Sequence, residues 1–401
     1  MMVTETEASK QVLLRRVKAV GIAMMTVQGV GLTLFPPLLA YFSDLFHLSS
    51  TGSGIIVGFW MVGVVIGAAL APLLVNIVTL KPLAMIAVTL SAVGMLITGL
   101  SDSAVMLCVG RVIGGYANAL LWITSFTWVL RVNDGPGAPK ALAAVVGLSS
   151  IGNLLGPLVG PLGIRYGFDP VFFSLFGLTL LLLVPMSRMP APYRLSNPGN
   201  HLPLLFRTRA IRSAVMANLV LKLAQGSMVV LLPLLLTRQG FASRGVAATY
   251  VVGAVLTLPL SHLFGSLAGR FGTWPTLRVL VVVVVLIPLV LPVLGSDALI
   301  FVLTAAVIAM TSGSPTVANS AFSQAAPPNP AAGIRQIELM SWSQLVSGSG
   351  QLVGAVLAGF LLNVGSFTLA FGIIAATALL VVARTSTAAR AARDGELVSD
   401  G

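Results

Sequence analysis

Charge is what this chain has least of. Only 8% of its 401 residues are Asp, Glu, Lys or Arg, where a soluble globular domain carries about 25%. Its one cysteine, Cys108, excludes an intramolecular disulfide, a thiolate metal site and a redox pair. The three histidines, His47, His201 and His262, are scattered and show no metal-ligand spacing. No Gly-rich loop ends in Gly-Lys-Ser/Thr, which argues against ATP-driven pumping, and no nucleophile with a base or His/Asp/Glu cluster marks a membrane enzyme. Neither a cofactor nor a metal is expected. Even the longest polar segment, Ser187 to Arg212, is too short and too rich in Pro, Arg and Asn to fold alone.

What fills the chain instead is apolar sequence, 57% of all residues. Twelve stretches are long enough to cross a hydrocarbon core about 30 Å thick, which takes roughly 20 helical residues. They run from Val17 to Tyr41, Gly52 to Ile77, Pro82 to Leu100, Ala104 to Leu130, Ala141 to Gly163 and Val171 to Arg188. Six more run from Ile211 to Leu236, Val246 to Ala268, Leu277 to Leu294, Ala298 to Phe322, Glu338 to Leu362 and Phe367 to Val382. Lipid offers no partner to a loose backbone, so only helices or a closed barrel can span it. Continuous rather than alternating apolar runs exclude the barrel. The sequence predicts an all-α polytopic membrane protein.

The formal charge of +12 is a topology signal rather than a nucleic-acid footprint. With the N-terminus inside, Lys10, Arg15, Arg16, Lys18, Lys81, Arg131 and Lys140 fall at inner helix ends. So do the arginines of the central loop and those that end the chain. Only Arg165, Arg238 and Arg244 fall outside. Positive residues are retained on the cytoplasmic side, so both termini are expected there, in the cell inner (plasma) membrane. Met1 to Arg16 is polar with no apolar region of its own, so the first helix is expected to act as an uncleaved anchor.

The two halves repeat at an offset of about 193 to 198 residues. The run from Thr26 through Gln28 to Pro36 lines up with that from Leu223 through Gln225 to Pro233. Gly152-Asn153-Leu154-Leu155-Gly156 lines up with Gly350-Gln351-Leu352-Val353-Gly354, and Lys81-Pro82 with Trp274-Pro275. The expected organisation is a six-helix bundle at residues 1–186, a cytoplasmic linker at 187–210, a second six-helix bundle at 211–384 and a tail at 385–401. Parallel duplications of this kind place a substrate site at mid-membrane between the halves, exposed alternately by rocking.

Over its whole length the chain resembles the major facilitator superfamily. Gly152-Asn153-Leu154-Leu155-Gly156-Pro157-Leu158-Val159-Gly160-Pro161 is similar to the Gly-rich fifth-helix motif of that family's antiporter branch, with Pro161 in place of the last glycine. Glycines every four residues also let a neighbouring backbone approach closely, whatever the function. Arg111-Val112-Ile113-Gly114-Gly115 is similar to the arginine-containing fourth-helix motif. Gly265-Ser266-Leu267-Ala268-Gly269-Arg270-Phe271-Gly272 keeps part of the cytoplasmic charge-clamp signature, with Gly269 where Asp is usual; the first half has lost nearly all of it. The resemblance implies twelve transmembrane helices in two pseudo-symmetric bundles, with gating or packing roles for Gly115, Gly152, Gly156, Pro157, Gly160, Gly265, Arg270 and Gly272. It also implies a monomer.

None of the eleven acids falls at mid-membrane, so the carboxylate that commonly carries protons in this family's exporters is missing. Lys222, in the middle of the seventh helix, is the sharper feature. Asn218, Lys222 and Gln225 form one stripe, and an ammonium there should face water or a counter-ion. It serves as a proton carrier, as an attractor for an anionic substrate, or as a structural donor to carbonyls. Arg111, Gly115, Asn118 and Trp122 form a stripe on the fourth helix, where Arg111 is part of a coupling or substrate path or snorkels outward. Gln28, Asn153 and Gln351 line the path or tie helix to helix. Trp122 and Trp342 stack on substrate or anchor at the interface, and Trp128 is expected to be an interfacial anchor. His262 is a packing histidine or a proton relay, and Glu338 with Arg335 a solvated pair.

The expected function is export of small organic molecules by secondary-active alternating access with ion or proton coupling. Uptake or exchange of a small anion and a non-transporting sensor are the alternatives.

Overall fold

A continuous apolar run in lipid can pair its backbone groups only within its own helix. The computed structural model describes residues 7–132, 145, 151–189, 209–314, 317 and 336–399, and among these there is no strand. The helices are α1 (Glu7–Thr33), α2 (Leu39–Leu45), α3 (Ser50–Ile77), α4 (Leu80–Gly99), α5 (Ala104–Val132), α6 (Val159–Tyr166) and α7 (Phe168–Leu181). After them come α8 (Leu183–Ser187), α9 (Arg209–Arg238), α10 (Ser243–Phe271), α11 (Thr273–Val290), α12 (Asp297–Gly313), α13 (Gln336–Val364) and α14 (Phe367–Ser399).

Among the described residues, nine stretches are long and apolar enough to cross a membrane, and two shorter apolar helices, Asp297–Gly313 and Phe367–Ala383, stand beside them. They correspond to eleven of the twelve expected spans. The other, Ala141 to Gly163, lies partly outside the described residues; its described part is helical at 151–155, tightens through Gly156–Leu158 and continues in α6.

The first span is broken where the sequence reading ran it straight through. α1 stops at Thr33, a short 3-10 turn covers Pro36–Leu38, and α2 follows. Two successive prolines supply no N–H, and the first disfavours helical backbone at Phe35 before it. Single prolines, by contrast, sit inside α3, α9, α10 and α11 as Pro72, Pro233, Pro259 and Pro288.

The chain packs into two units. One holds Met1–Leu38, Phe59–Pro198 and Arg335–Leu345, the other Leu39–Gly58, Gly199–Ile334 and Val346–Gly401. In the first unit α5 packs on α1 and α4, and α4 on α7, around fully buried Met24, Phe35, Leu107, Leu120 and Phe172. In the second, α10 packs on α12, and α14 on α9 and α11, around Leu221, Leu231, Val284 and Ile374. Ile77, Val105, Val279 and Leu380 are apolar yet exposed.

Lys81 closes one end of the first unit. Its Nζ donates to the backbone oxygens of Ser187 and Met189, 2.6 Å from each. These are carbonyls at and just past the end of α8, where a cation also meets the negative end of the helix dipole.

Candidate functional site

The sequence repeat reappears as a packing repeat. In the first unit a methyl added at Gly152 would strike the Thr26 carbonyl oxygen, and one at Gly156 would lie 2.9 Å from the Val30 oxygen. The segment 151–156 therefore lies directly on the α1 backbone. Gly29 of α1 returns the contact, its added methyl meeting Asn153 Oδ1 at 2.9 Å. In the second unit Gly354 lies against the Leu223 carbonyl, Gly226 against the Gln351 backbone, and a methyl at Gly350 would sit 2.9 Å from Lys222 Cβ. Ser227 adds a hydrogen bond from Oγ to the Gly354 oxygen at 3.0 Å. The structure thus brings Asn153 onto α1, and Gln351 onto α9. Pro157 is buried in the 3-10 turn. Gly160 is grazed by the Leu38 side chain at 3.1 Å. Gln28 is half-buried on α1.

Arg111 of α5 is 3% exposed. Its guanidinium carbon lies 4.0 Å from the Phe35 ring centre and 4.5 Å from that of Trp60 on α3. Contacts of this type contribute about 2 kcal/mol when desolvated. Among the described residues Arg111 Nε finds no hydrogen-bond partner, and Trp60 Nε1 and Asn118 Nδ2 are also buried and unpartnered there. Leaving each such donor unmet costs about 1–3 kcal/mol. Arg111 therefore does not snorkel. Gly115 lets α5 touch the α3 backbone at the Trp60 carbonyl, and the indole edge fills the space above Gly114, 2.6 Å from an added methyl, and above Gly31, 3.0 Å from one. Along the same helix Trp122 is half-buried and stacks on Phe126, centroids 4.4 Å apart.

In the second unit Asn218 is 1% exposed and Lys222 7% exposed. Lys222 Nζ donates to Gln225 Oε1 at 2.7 Å, so two members of the stripe are paired. Asn218, one turn before, has neither amide atom partnered among the described residues. Tyr250 on α10 and Thr304 on α12 likewise bury unpartnered hydroxyls.

Several expectations are corrected. Trp128 is 3% exposed, a core side chain of the first unit rather than an interfacial anchor. No described residue lies within 4 Å of a methyl placed at Gly265 or Gly269. Gly272 is a turn position, with φ +90° between α10 and α11, a conformation only glycine adopts readily. Arg270 is exposed beside it. His262 is exposed on α10, not a packed histidine. Trp342 is half-buried. Arg335 and the Glu338 side chain fall outside the described residues. Phe35 and Trp60 were missed by the sequence reading; the signal for Trp60 was the Gly114-Gly115 pair, which makes room for an aromatic ring beside Arg111.

With this geometry in hand, comparison with known proteins gives one family match: the model of the Major Facilitator Superfamily matches residues 21–335. Among solved structures, the chain is similar to the nucleoside transporter NupG, at TM-score 0.69 and 13% identity, covering 94% of this chain and 98% of that one. It is also similar to a bacterial homologue of the human lysosomal transporter Spinster in an inward-facing, occupied conformation. There the TM-score is 0.75 and the identity 13%, over 93% of this chain and 96% of that one. Likenesses at this identity show the fold.

Proposed function

The chain belongs to the major facilitator superfamily of membrane transporters, and from that premise we propose that it is a secondary-active exporter of small organic molecules. It works by alternating access with ion or proton coupling, as a monomer in the cell inner membrane with both termini cytoplasmic. The observation that carries the coupling half of this reading is Lys222. It is an ammonium in the middle of a 30-residue helix, nearly buried, and among the described residues its hydrogen bond goes to a neutral amide rather than an acid. A charge kept at that depth without a counter-ion is costly and marks an ion or substrate path. The Gly-rich 151–160 segment supports the antiporter side, because its backbone contact with α1 permits close sliding of two helices.

A second reading, uptake or exchange of a small anion, is favoured by the fact that among the described residues no acid is bonded to Lys222 or Arg111. Substrate charge separates the two. Purified protein in liposomes without ATP is challenged with radiolabelled small organic cations and anions under an imposed proton gradient. Gradient-driven cation accumulation supports coupled export, and gradient-independent anion counterflow supports exchange. No flux of any probe, with intact protein, contradicts both and leaves a non-transporting sensor.

A further inference from the structure

The hydrogen bonds of Lys81 join parts of the chain 106 and 108 residues apart. They set the ammonium against the backbone on either side of Arg188, at the Ser187 and Met189 oxygens. The Arg188 side chain is itself exposed. Carbonyls are neutral, so they take two of the three ammonium N–H groups and leave its charge unbalanced. Among the described residues neither cation is paired with an acid. The acidic side chains described in the first unit, Asp102 and Asp169, stand at the far ends of α4 and α7. A helix of that length puts them about 30 Å away.

The surface leading to this pair is apolar. Backbone from Phe168 to Arg188 is helical throughout, Leu182 included, so Leu181, Val184 and Arg188 follow at i, i+3 and i+7 on one face. Leu181 and Val184 are exposed, and they belong to a span long enough to cross a membrane. An exposed apolar stripe therefore runs along the span and ends at two cations without a counter-ion. That is the order of groups in a phospholipid, acyl chain and then charged phosphate. A free anion would use the cations and leave the stripe without a role.

We propose that Lys81 and Arg188 form a headgroup site for an anionic phospholipid, with an acyl chain lying along Leu181 and Val184. Arginine takes phosphate oxygens through its planar fork and lysine as a point charge, so one phosphate is shared between them. The bound lipid ties the start of α4 to the end of α8, beside the bonds that Lys81 already makes there. The site belongs to the membrane-facing surface and is independent of what the protein transports.

The test reads lipid selectivity beside the site. In full-length Cys108→Ser protein, Val184→Cys carries a nitrobenzoxadiazole dye, and Val105→Cys, exposed at the opposite end of the first unit, carries it as the reference. Phosphatidylcholine liposomes hold a small fraction of doxyl-labelled quencher lipid, either phosphatidylglycerol or phosphatidylcholine. At Val184→Cys the phosphatidylglycerol quencher should be favoured about fivefold or more, and at Val105→Cys the two should quench alike. Arg188→Gln should cut the preference about fivefold, the effect of one basic residue beside an anionic surface. Arg270→Gln, which removes the same charge from the end of α10, should leave it unchanged. Lys81→Gln should act as Arg188→Gln does; should it fray the end of α8, Arg188→Gln carries the test, because it leaves both Lys81 bonds in place.

No preference at Val184→Cys, a preference untouched by Arg188→Gln, or one lowered as much by Arg270→Gln would overturn the site. So would loss of the preference on adding millimolar inorganic phosphate at constant ionic strength, which would mark a free-anion site instead of a lipid one.

Discussion

Lys222 Nζ donates to Gln225 Oε1 over 2.7 Å, within one turn of the same helix. A local amide rather than a distant carboxylate therefore holds the ammonium. Such a bond fixes the direction of the side chain without neutralising its charge, leaving the positive site available to a moving ion or to substrate. Gln225→Met keeps the length and removes the acceptor. It is expected to cost about 1–3 kcal/mol through the orphaned donor and to lower transport. Gln225→Glu, which supplies a fixed counter-ion, should keep stability and abolish coupling. Thermal melting and flux measured side by side on both variants check this.

Gly152 and Gly177 make a matched pair. An added methyl at Gly152 meets the Thr26 carbonyl, whereas at Gly177 it meets no described atom within 4 Å. Gly152→Ala should destabilise by about 1–3 kcal/mol through overpacking. Gly177→Ala, inside α7, should be neutral or stabilising by up to about 1 kcal/mol. Equal melting temperatures for the two would remove the close contact between α1 and the 151–156 segment.

Lys81 is expected to hold the end of α8. Lys81→Met removes both bonds to the Ser187 and Met189 oxygens, at a cost of about 1 kcal/mol for partly exposed partners. Amide hydrogen exchange in residues 182–189 should rise, while exchange in α9 stays as it was. Lys81→Arg should restore most of the protection.

Gly54 and Gly359 cross in the second unit. A methyl on Gly54 would stand 3.0 Å from the Gly359 Cα and 2.5 Å from the Ala355 oxygen. Gly54→Leu must open this crossing. In a Cys108→Ser background, Thr51→Cys should then label faster with a water-soluble maleimide added to the detergent-solubilised protein. Unchanged labelling would mean that the contact does not shield Thr51.

Much of this was legible in the sequence because lipid imposes its own rules. Apolar runs of spanning length become helices, and a lone Lys222 among Leu and Val stands out without any structure. The glycine pattern at 152 and 156 announced a close contact, and its repeat at 350 and 354 announced it twice. What could not be read was which partner completes a polar group. Arg111 could meet carbonyls, acids or lipid headgroups by sequence alone; that it meets the faces of Phe35 and Trp60 depends on how α1 ends at Thr33, ahead of Pro36, and on the slot above Gly114. Trp128 misled for the same reason. Its place near a helix end suggests the membrane interface, while burial is decided by neighbours far along the chain. Gly265 kept a motif's spacing without a described helix against it.

The most direct measurement is proton movement in liposomes, reported by an entrapped pH dye, as a panel of small organic cations and anions is added to wild type and to Lys222→Ala. At least one probe should trigger proton movement in wild type, and none should in Lys222→Ala, although the variant still melts cooperatively. Probe flux in wild type with no proton movement, or proton movement that survives Lys222→Ala, would contradict coupling through Lys222.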